Sequence, residues 1–283
     1  MAVRRAANGV MLEPAGTAAR PSLTLRLAGV GIVLSASDPA WLPFVRERYA
    51  QFIADEEPKF TVDLVTDPAP TGGARCPEPG IAWPREDGDE AFAIRGPSVL
   101  VEADLRRARG VVRGAPAAVG IDVLLRHLLP ALVRDGLVLH SAGLADAGAA
   151  WACCGPSGAG KSTLAALLPE RALCDELVAL RLDGERFVLE SLPFRRARPA
   201  ALPLRGICCL RHAPVHRRVR LDPSTAARRL ARVGPWPSYS PTAMRSSFAA
   251  LARLVEVCPV YELGFAPTPD VWATLARGPH AGG

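Results

Sequence analysis

The hydrophobic positions of the chain follow two periods that alternate along the sequence. Apolar residues spaced by three and four predict amphipathic helices, whereas short alternating or continuous apolar runs predict strands. The clearest helix is predicted over 121–132, and Gly136 ends its pattern. Further helices are predicted over about 39–54 after an Asp38 cap, 163–168, 222–233, 243–255 and 269–276. Strands are predicted over 60–65, 91–94, 99–101, 136–142, 149–154, 172–180, 186–192, 204–210 and 260–265, and a strand or a hairpin, with possible bends at Gly29 and Gly31, over 23–34.

The order of these elements favours an α/β fold with an α+β N-terminal part. Residues 114–116 have the composition of a linker, which predicts a small α+β domain over 1–116 and a second domain over 117–283. The first domain carries no chemical motif, so its role is open beyond packing or oligomerisation. Proline and glycine predict loops over 67–80 and over 234–241, and the second of these is a candidate lid.

One segment of the second domain matches the phosphate-binding pattern G-x-x-x-x-G-K-[ST]. It lies between a predicted strand and a predicted helix and consists of Gly155, Pro156, Ser157, Gly158, Ala159, Gly160, Lys161, Ser162 and Thr163. In such a loop the backbone amides, the lysine and the helix N-terminus bind phosphates, and the hydroxyl after the lysine ligates Mg²⁺.

The lysine of this motif is unusual for the chain. Of its 34 basic residues only Lys59 and Lys161 are lysines, which indicates that a compact point charge is needed at Lys161. The alternative, a glycine-rich surface turn, does not explain that choice.

Two further polar sites interrupt apolar strands. Asp175 and Glu176 stand inside the apolar run 172–180, where a carboxylate needs a cation or a metal. The nucleotide Mg²⁺ is the first candidate, and a charge pair at a strand edge facing water is the alternative. His140 ends the strand over 136–142, a position that by itself is more typical of a core residue than of a ligand.

Charge and cysteine content limit the binding partners and the cellular compartment that are expected for this chain. The 283-residue chain has a net charge of +6, and eleven arginines fall within 195–232. They suit an acidic or phosphorylated partner, or form a solvated basic face. Aromatic residues are not interleaved with them, so nucleic acid is not an expected partner. Neither a secretory signal nor a membrane-length apolar run is found, and the cysteines of the strand-like runs are expected to be small buried residues of a cytoplasmic protein.

Three segments taken in order resemble the HPr kinase/phosphorylase-related serine kinases, whose core is similar to that of phosphoenolpyruvate carboxykinase. They are 139–142 (LHSA), 155–164 (GPSGAGKSTL) and 174–178 (CDELV), and the likeness covers about 135–278. The resemblance implies a P-loop kinase core, in which a mixed β-sheet is flanked by helices, with ATP and Mg²⁺ as cofactors. It also implies that His140 lies beside the metal or the γ-phosphate, and that Lys161 binds the outer phosphates. Asp175 and Glu176 would share the roles of catalytic base and, with Ser162, metal ligand, in an order that stays open.

By this resemblance the acceptor is a serine hydroxyl of a peptide or protein, which in some related small kinases is a biosynthetic precursor peptide. The long HPr-recognition signature is absent, so dephosphorylation of HPr is not implied. The additional lysines of the carboxykinases are also absent, so decarboxylation is not implied. Two alternatives remain, a small-molecule kinase and a non-catalytic nucleotide-binding regulatory protein. A homo-oligomer is left open, and no membrane partner is expected.

Overall fold

The computed structural model describes residues 20–67, 83–84, 90–195 and 197–276. These residues form a mixed α/β structure with two mixed β-sheets and few helices. Within the described part of the chain, no helix is both long and apolar enough to cross a membrane.

The first sheet comprises seven strands in the order β1-β2-β3-β7-β6-β5-β4. Their bounds are β1 (Ser22–Leu27), β2 (Val30–Ala36), β3 (Pro58–Thr66), β4 (Trp83–Pro84), β5 (Ala91–Arg95), β6 (Val99–Asp104) and β7 (Arg109–Gly114). Strand β3 lies between β2 and β7 and runs parallel to both, while the other pairs are antiparallel. The β1–β2 hairpin turns at Ala28 and Gly29, whose positive φ values of 50° and 71° match the twist of the strands.

Helix α1 (Trp41–Tyr49) begins later than the sequence predicts. The Asp38 carboxylate accepts a hydrogen bond from the Ala40 amide and another from the Thr66 hydroxyl. Asp38 therefore fixes the turn before the helix and links it to β3, instead of capping a helix that starts at Pro39.

Helix α2 (Ala118–Leu132) joins the two sheets. Its buried face, which includes Leu124 and Leu128, packs in one hydrophobic core with residues of the first sheet. The same core contains Leu177 and Phe194, which come from the region of the second sheet. The two sheets thus bury their apolar surfaces against a shared helix.

The second sheet carries the motifs. Its strands are β8 (Gly136–Asp146), β9 (Ala149–Cys154), β10 (Ala172–Cys174), β11 (Leu177–Asp183), β12 (Arg186–Ser191), β13 (Ala201–His212), β14 (Arg217–Arg220) and β15 (Val260–Phe265). Their order is β10-β8-β11-β12-β13-β15-β14, and β9 pairs with both β8 and β13. Strands β9, β13 and β15 are parallel, so their carboxyl ends meet at one edge of the sheet.

Of the helices in the described residues, four cover this sheet. Helices α3 (Lys161–Leu167) and α6 (Val271–Leu275) supply buried residues to the core on one face. Helices α4 (Pro223–Leu230) and α5 (Pro241–Val257) supply them on the other. The predicted start of α4 is confirmed, and Asp222 is its N-cap: the Asp222 carboxylate accepts a hydrogen bond from the Thr225 amide at 3.0 Å.

Two predictions for this half need correction. The single strand predicted over 172–180 is two strands, β10 and β11, with Asp175 and Glu176 in the bend between them. The candidate lid over 234–241 is fixed in place: Tyr239 is buried, its hydroxyl donates to the His127 carbonyl oxygen, and Ser240 donates to Glu90. The loop predicted over 67–80 lies outside the described residues apart from Asp67.

Candidate functional site

The phosphate-binding segment has the local structure that its motif requires. Strand β9 ends at Cys154 and helix α3 begins at Lys161, so the strand, loop and helix predicted from the sequence are confirmed. Gly158 and Gly160 have φ values of +81° and +96°, which residues with a Cβ rarely adopt. The glycines of the motif therefore set the path of the loop.

Lys161 lies against the loop that precedes it. Its ammonium donates to the carbonyl oxygens of Gly155 at 2.7 Å and Pro156 at 2.9 Å, and 7% of the residue is exposed. Burial lowers the pKa of Lys161 from its ordinary value. The cation is thus held at the loop by two neutral acceptors, which phosphate oxygens can replace with a stronger charged interaction.

Asp175 and Ser162 line the same cavity, which has a volume of about 730 Å³. Asp175 comes from the bend between β10 and β11, and Ser162 comes from the first turn of α3. The Oδ1 atom of Asp175 is buried and no group of the described chain donates to it. The structure therefore places the Asp175 carboxylate, one oxygen of which has no donor in the described chain, at the same cavity as the hydroxyl that the motif assigns to the metal.

Glu176 has different surroundings from its neighbour. Its carboxylate forms an ion pair with Arg126 of α2 and a second one with Arg195, whose Nε lies 3.4 Å away. Its backbone carbonyl oxygen accepts a hydrogen bond from the Ser141 amide of β8. Glu176 is thus bound by two guanidinium groups, whereas Asp175 faces the cavity beside Ser162.

His140 lies on the other side of the loop. It pairs with Leu177 across strands β8 and β11, and its half-buried ring lines a second cavity of about 360 Å³ together with residues 155–157. Burial is the main cause that lowers the pKa of His140, and the charge of Lys161 adds to it. Both causes favour the neutral form of the imidazole. Arg126 and the exposed Arg232 line the same cavity and add positive charge there.

Most of the described arginines in 195–232 bind groups of their own chain instead of forming one open basic face. Arg211 and Arg229 both pair with Glu262, and Arg218 packs over the ring of Tyr261 at 4.4 Å. The arginines with such contacts are Arg195, Arg198, Arg205, Arg211, Arg218, Arg228 and Arg229. A solvated basic face, one of the two predictions for this segment, therefore describes only some of its arginines.

The buried cysteines confirm the prediction that they are small core residues. Cys153 pairs in register with Cys208 and Cys154 with Cys209 across β9 and β13, and the side-chain hydrogen bonds to Cys208 and Cys209, together with burial, raise the pKa values of the Cys153 and Cys154 thiols. Across the described residues, no group of three or more His, Cys, Asp and Glu side chains converges on a metal position.

Arg126 is the site residue that the sequence did not reveal. It lies on α2, about fifty positions before Glu176, and only the packing of α2 against the second sheet brings the two together. The helical pattern predicts α2 but gives no sign of this ion pair.

Comparison with known proteins adds no assignment. No protein-family model matches the chain, and no curated protein matches it.

Proposed function

We propose that this chain is a Mg²⁺- and ATP-dependent kinase of the HPr kinase-related type, which transfers a phosphoryl group to a serine hydroxyl of a peptide or protein. The observation that carries the proposal is the Asp175 carboxylate, which lines the same cavity as Ser162 and whose buried Oδ1 atom has no donor among the described residues. A phosphate-binding loop alone supports nucleotide binding, whereas a free carboxylate beside it supports group transfer.

The energetic cost of burying this oxygen without a donor supports the proposal that Asp175 contacts a bound ligand. A buried acceptor without a donor destabilises a protein by roughly 1–3 kcal/mol, and by more when it is charged. Two groups present during phosphoryl transfer relieve that cost, the acceptor hydroxyl and the nucleotide-bound cation. A structural carboxylate would be paired within the protein, as Glu176 is with Arg126 and Arg195.

The residues of the site fit Mg²⁺. This ion prefers oxygen ligands and is commonly held by one or two carboxylates together with substrate phosphates and water. The exposed Ser162 hydroxyl and the Asp175 carboxylate are such oxygens, and the described chain offers no larger ligand cluster. When bound, Mg²⁺ offsets the negative charge of the phosphates.

The protein groups divide the remaining work. The loop amides and Lys161 bind and orient the outer phosphates, because the Lys161 ammonium is held at the loop where they would arrive. Asp175 accepts the proton of the acceptor hydroxyl, the hydroxyl oxygen attacks the γ-phosphorus in line, and the bond from that phosphorus to ADP breaks as ADP leaves. Glu176 keeps Arg126 and Arg195 in place and so maintains positive charge next to the loop.

The cavity beside Asp175 suits a serine presented by a polypeptide. Its volume of about 730 Å³ accommodates a side chain with its flanking backbone, and most of its apolar lining consists of alanines. Arg195 also lines it and keeps 63% of its side chain exposed, so an acidic group near the serine would find a cation there.

The test is intact-mass analysis of substrates after incubation with Mg-ATP. The full chain is mixed with lysate fractions or with candidate peptides encoded near its gene, beside Asp175→Asn as the catalytic control and Lys161→Ala as the nucleotide control. We expect a mass gain of one phosphate on a serine-containing peptide or protein, lost in both variants.

Other results point to the alternatives. Phosphorylation of metabolites alone would replace the peptide acceptor by a small molecule. Nucleotide binding that needs Lys161, without any transfer to proteins or metabolites, would contradict the kinase proposal and favour a regulatory protein.

A further inference from the structure

The outer side of the phosphate-binding loop is contacted by the ends of two parallel strands. His212 is the last residue of β13, Phe265 is the last residue of β15, and the two are register partners. Strand β9, which leads into the loop, is parallel to β13, and Cys154 pairs with Cys209. Strands β13 and β15 therefore extend three residues beyond the register position at which β9 ends, and they reach the level of the loop.

His212 forms a hydrogen bond with the loop itself. Its Nε2 atom lies 2.7 Å from the carbonyl oxygen of Gly158, so the ring nitrogen donates to that oxygen. Both the imidazolium and the neutral tautomer protonated at Nε2 can do this. Gly158 is one of the two loop residues with a left-handed backbone conformation. The hydrogen bond to its carbonyl oxygen fixes the peptide group between Gly158 and Ala159.

Phe265 supports the other left-handed residue. A Cβ added at Gly160 would lie 2.7 Å from Cζ of Phe265 and 3.6 Å from Cε1 of His212, so the two rings leave room only for hydrogen there. The ring centroids of His212 and Phe265 are 6.2 Å apart with planes tilted by 26°. The buried phenyl group thus holds the exposed imidazole against the loop.

We propose that His212 is a positioning residue, which holds the phosphate-binding loop in its binding conformation before the nucleotide arrives. The inference rests on the proposed function only in taking a nucleoside phosphate as the ligand of the loop. Glycine residues can adopt many other backbone conformations. A loop whose glycines become ordered only on binding therefore loses affinity to the entropy cost of that ordering. A hydrogen bond to Gly158 in the free protein removes part of that cost in advance.

The first experiment measures Mg-ADP binding by calorimetry for the wild type and three variants. We expect His212→Ala to weaken binding about fivefold, the effect of one lost hydrogen bond, and His212→Gln to recover most of it through its amide donor. His216→Ala is the matched control: it removes a histidine four residues after His212, in the β13–β14 connection, which bonds Thr268 and Asp270 instead of the loop. Its affinity should equal that of the wild type.

The second experiment needs no nucleotide. Hydrogen exchange of the loop amides in 157–162 should be faster in His212→Ala than in the wild type, and unchanged in His216→Ala. With an acceptor in hand, KM for ATP should rise in His212→Ala while kcat at saturating ATP stays the same, because the imidazole does not touch reacting atoms.

The outcomes separate the two proposals. A folded His212→Ala that binds Mg-ADP and exchanges its loop amides like the wild type would overturn the positioning role and leave the kinase proposal intact. A wild type that does not bind Mg-ADP would overturn the nucleotide-dependent function, and with it the role of His212 in nucleotide binding.

Discussion

The adjacent residues Asp175 and Glu176 should respond in opposite ways when their charges are removed. Glu176→Gln takes the charged partner from Arg126 and Arg195, and 12% of the Glu176 side chain is exposed. The exposed fractions of the arginines, 38% and 63%, reduce the loss through solvent screening. We expect a destabilisation of about 1–2 kcal/mol.

Asp175→Asn removes a charge whose buried Oδ1 atom has no donor, so it relieves desolvation and breaks no ion pair of the described chain. We expect its free energy of unfolding to stay equal to that of the wild type or to rise by up to about 1 kcal/mol. Phosphoryl transfer should nevertheless be lost in this variant, because the proton acceptor is gone.

Thermal unfolding without nucleotide measures both effects. For a chain of this size 1 kcal/mol corresponds to roughly 2–4 °C, so Glu176→Gln should melt about 2–8 °C below the wild type and Asp175→Asn at or above it. Raising the salt concentration should reduce the Glu176→Gln difference, since its ion pairs are partly exposed. If Asp175→Asn melts as low as Glu176→Gln, then Asp175 has a structural partner, and the reason for placing a ligand at its carboxylate fails.

Two further predictions follow from other parts of the structure. Burial lowers the pKa values of His127 and His140 below the ordinary 6.5, so the unfolded chain binds more protons just below that pH. Stability should therefore fall between pH 7 and 5.5, and His140→Gln should show a smaller fall in melting temperature. Arg218→Glu should lower the melting temperature, because its guanidinium packs over aromatic rings and donates to the carbonyl oxygen of Leu275, whereas Arg217→Glu, on the exposed strand edge, should not. Equal melting temperatures for Arg217→Glu and Arg218→Glu would contradict the arginine prediction. A pH dependence of the melting temperature that His140→Gln leaves unchanged would contradict the histidine prediction.

Local sequence patterns predicted the parts of the fold that depend on neighbouring residues. The loop over 155–163 is set by its own glycines, the start of α4 by Asp222 and Pro223, and the buried face of α2 by its leucines. Each is specified within about one helical turn or one tight turn, where residue type and spacing decide the conformation.

The features that the sequence missed depend on pairing between distant segments. Strand β3 is inserted parallel to both β2 and β7, and no local period encodes which strands flank it. Strand β14 consists of three arginines and a valine, a composition that suggests solvent, yet β15 supplies its backbone partners. In such segments tertiary contacts override local propensity.

The bend at Asp175 and Glu176 shows why the site needs the fold as well as the motif. On an uninterrupted strand, adjacent side chains point to opposite faces of the sheet. The surroundings of each carboxylate would then be those of its own face. The break between β10 and β11 instead leaves Glu176 bound to arginines from α2 and from the segment after β12, and leaves Asp175 in the cavity of Ser162. The sequence places both acids near the loop but cannot divide their roles. The division that we propose rests on the partner that α2 brings to Glu176 and on the absence, among the described residues, of a donor to Oδ1 of Asp175.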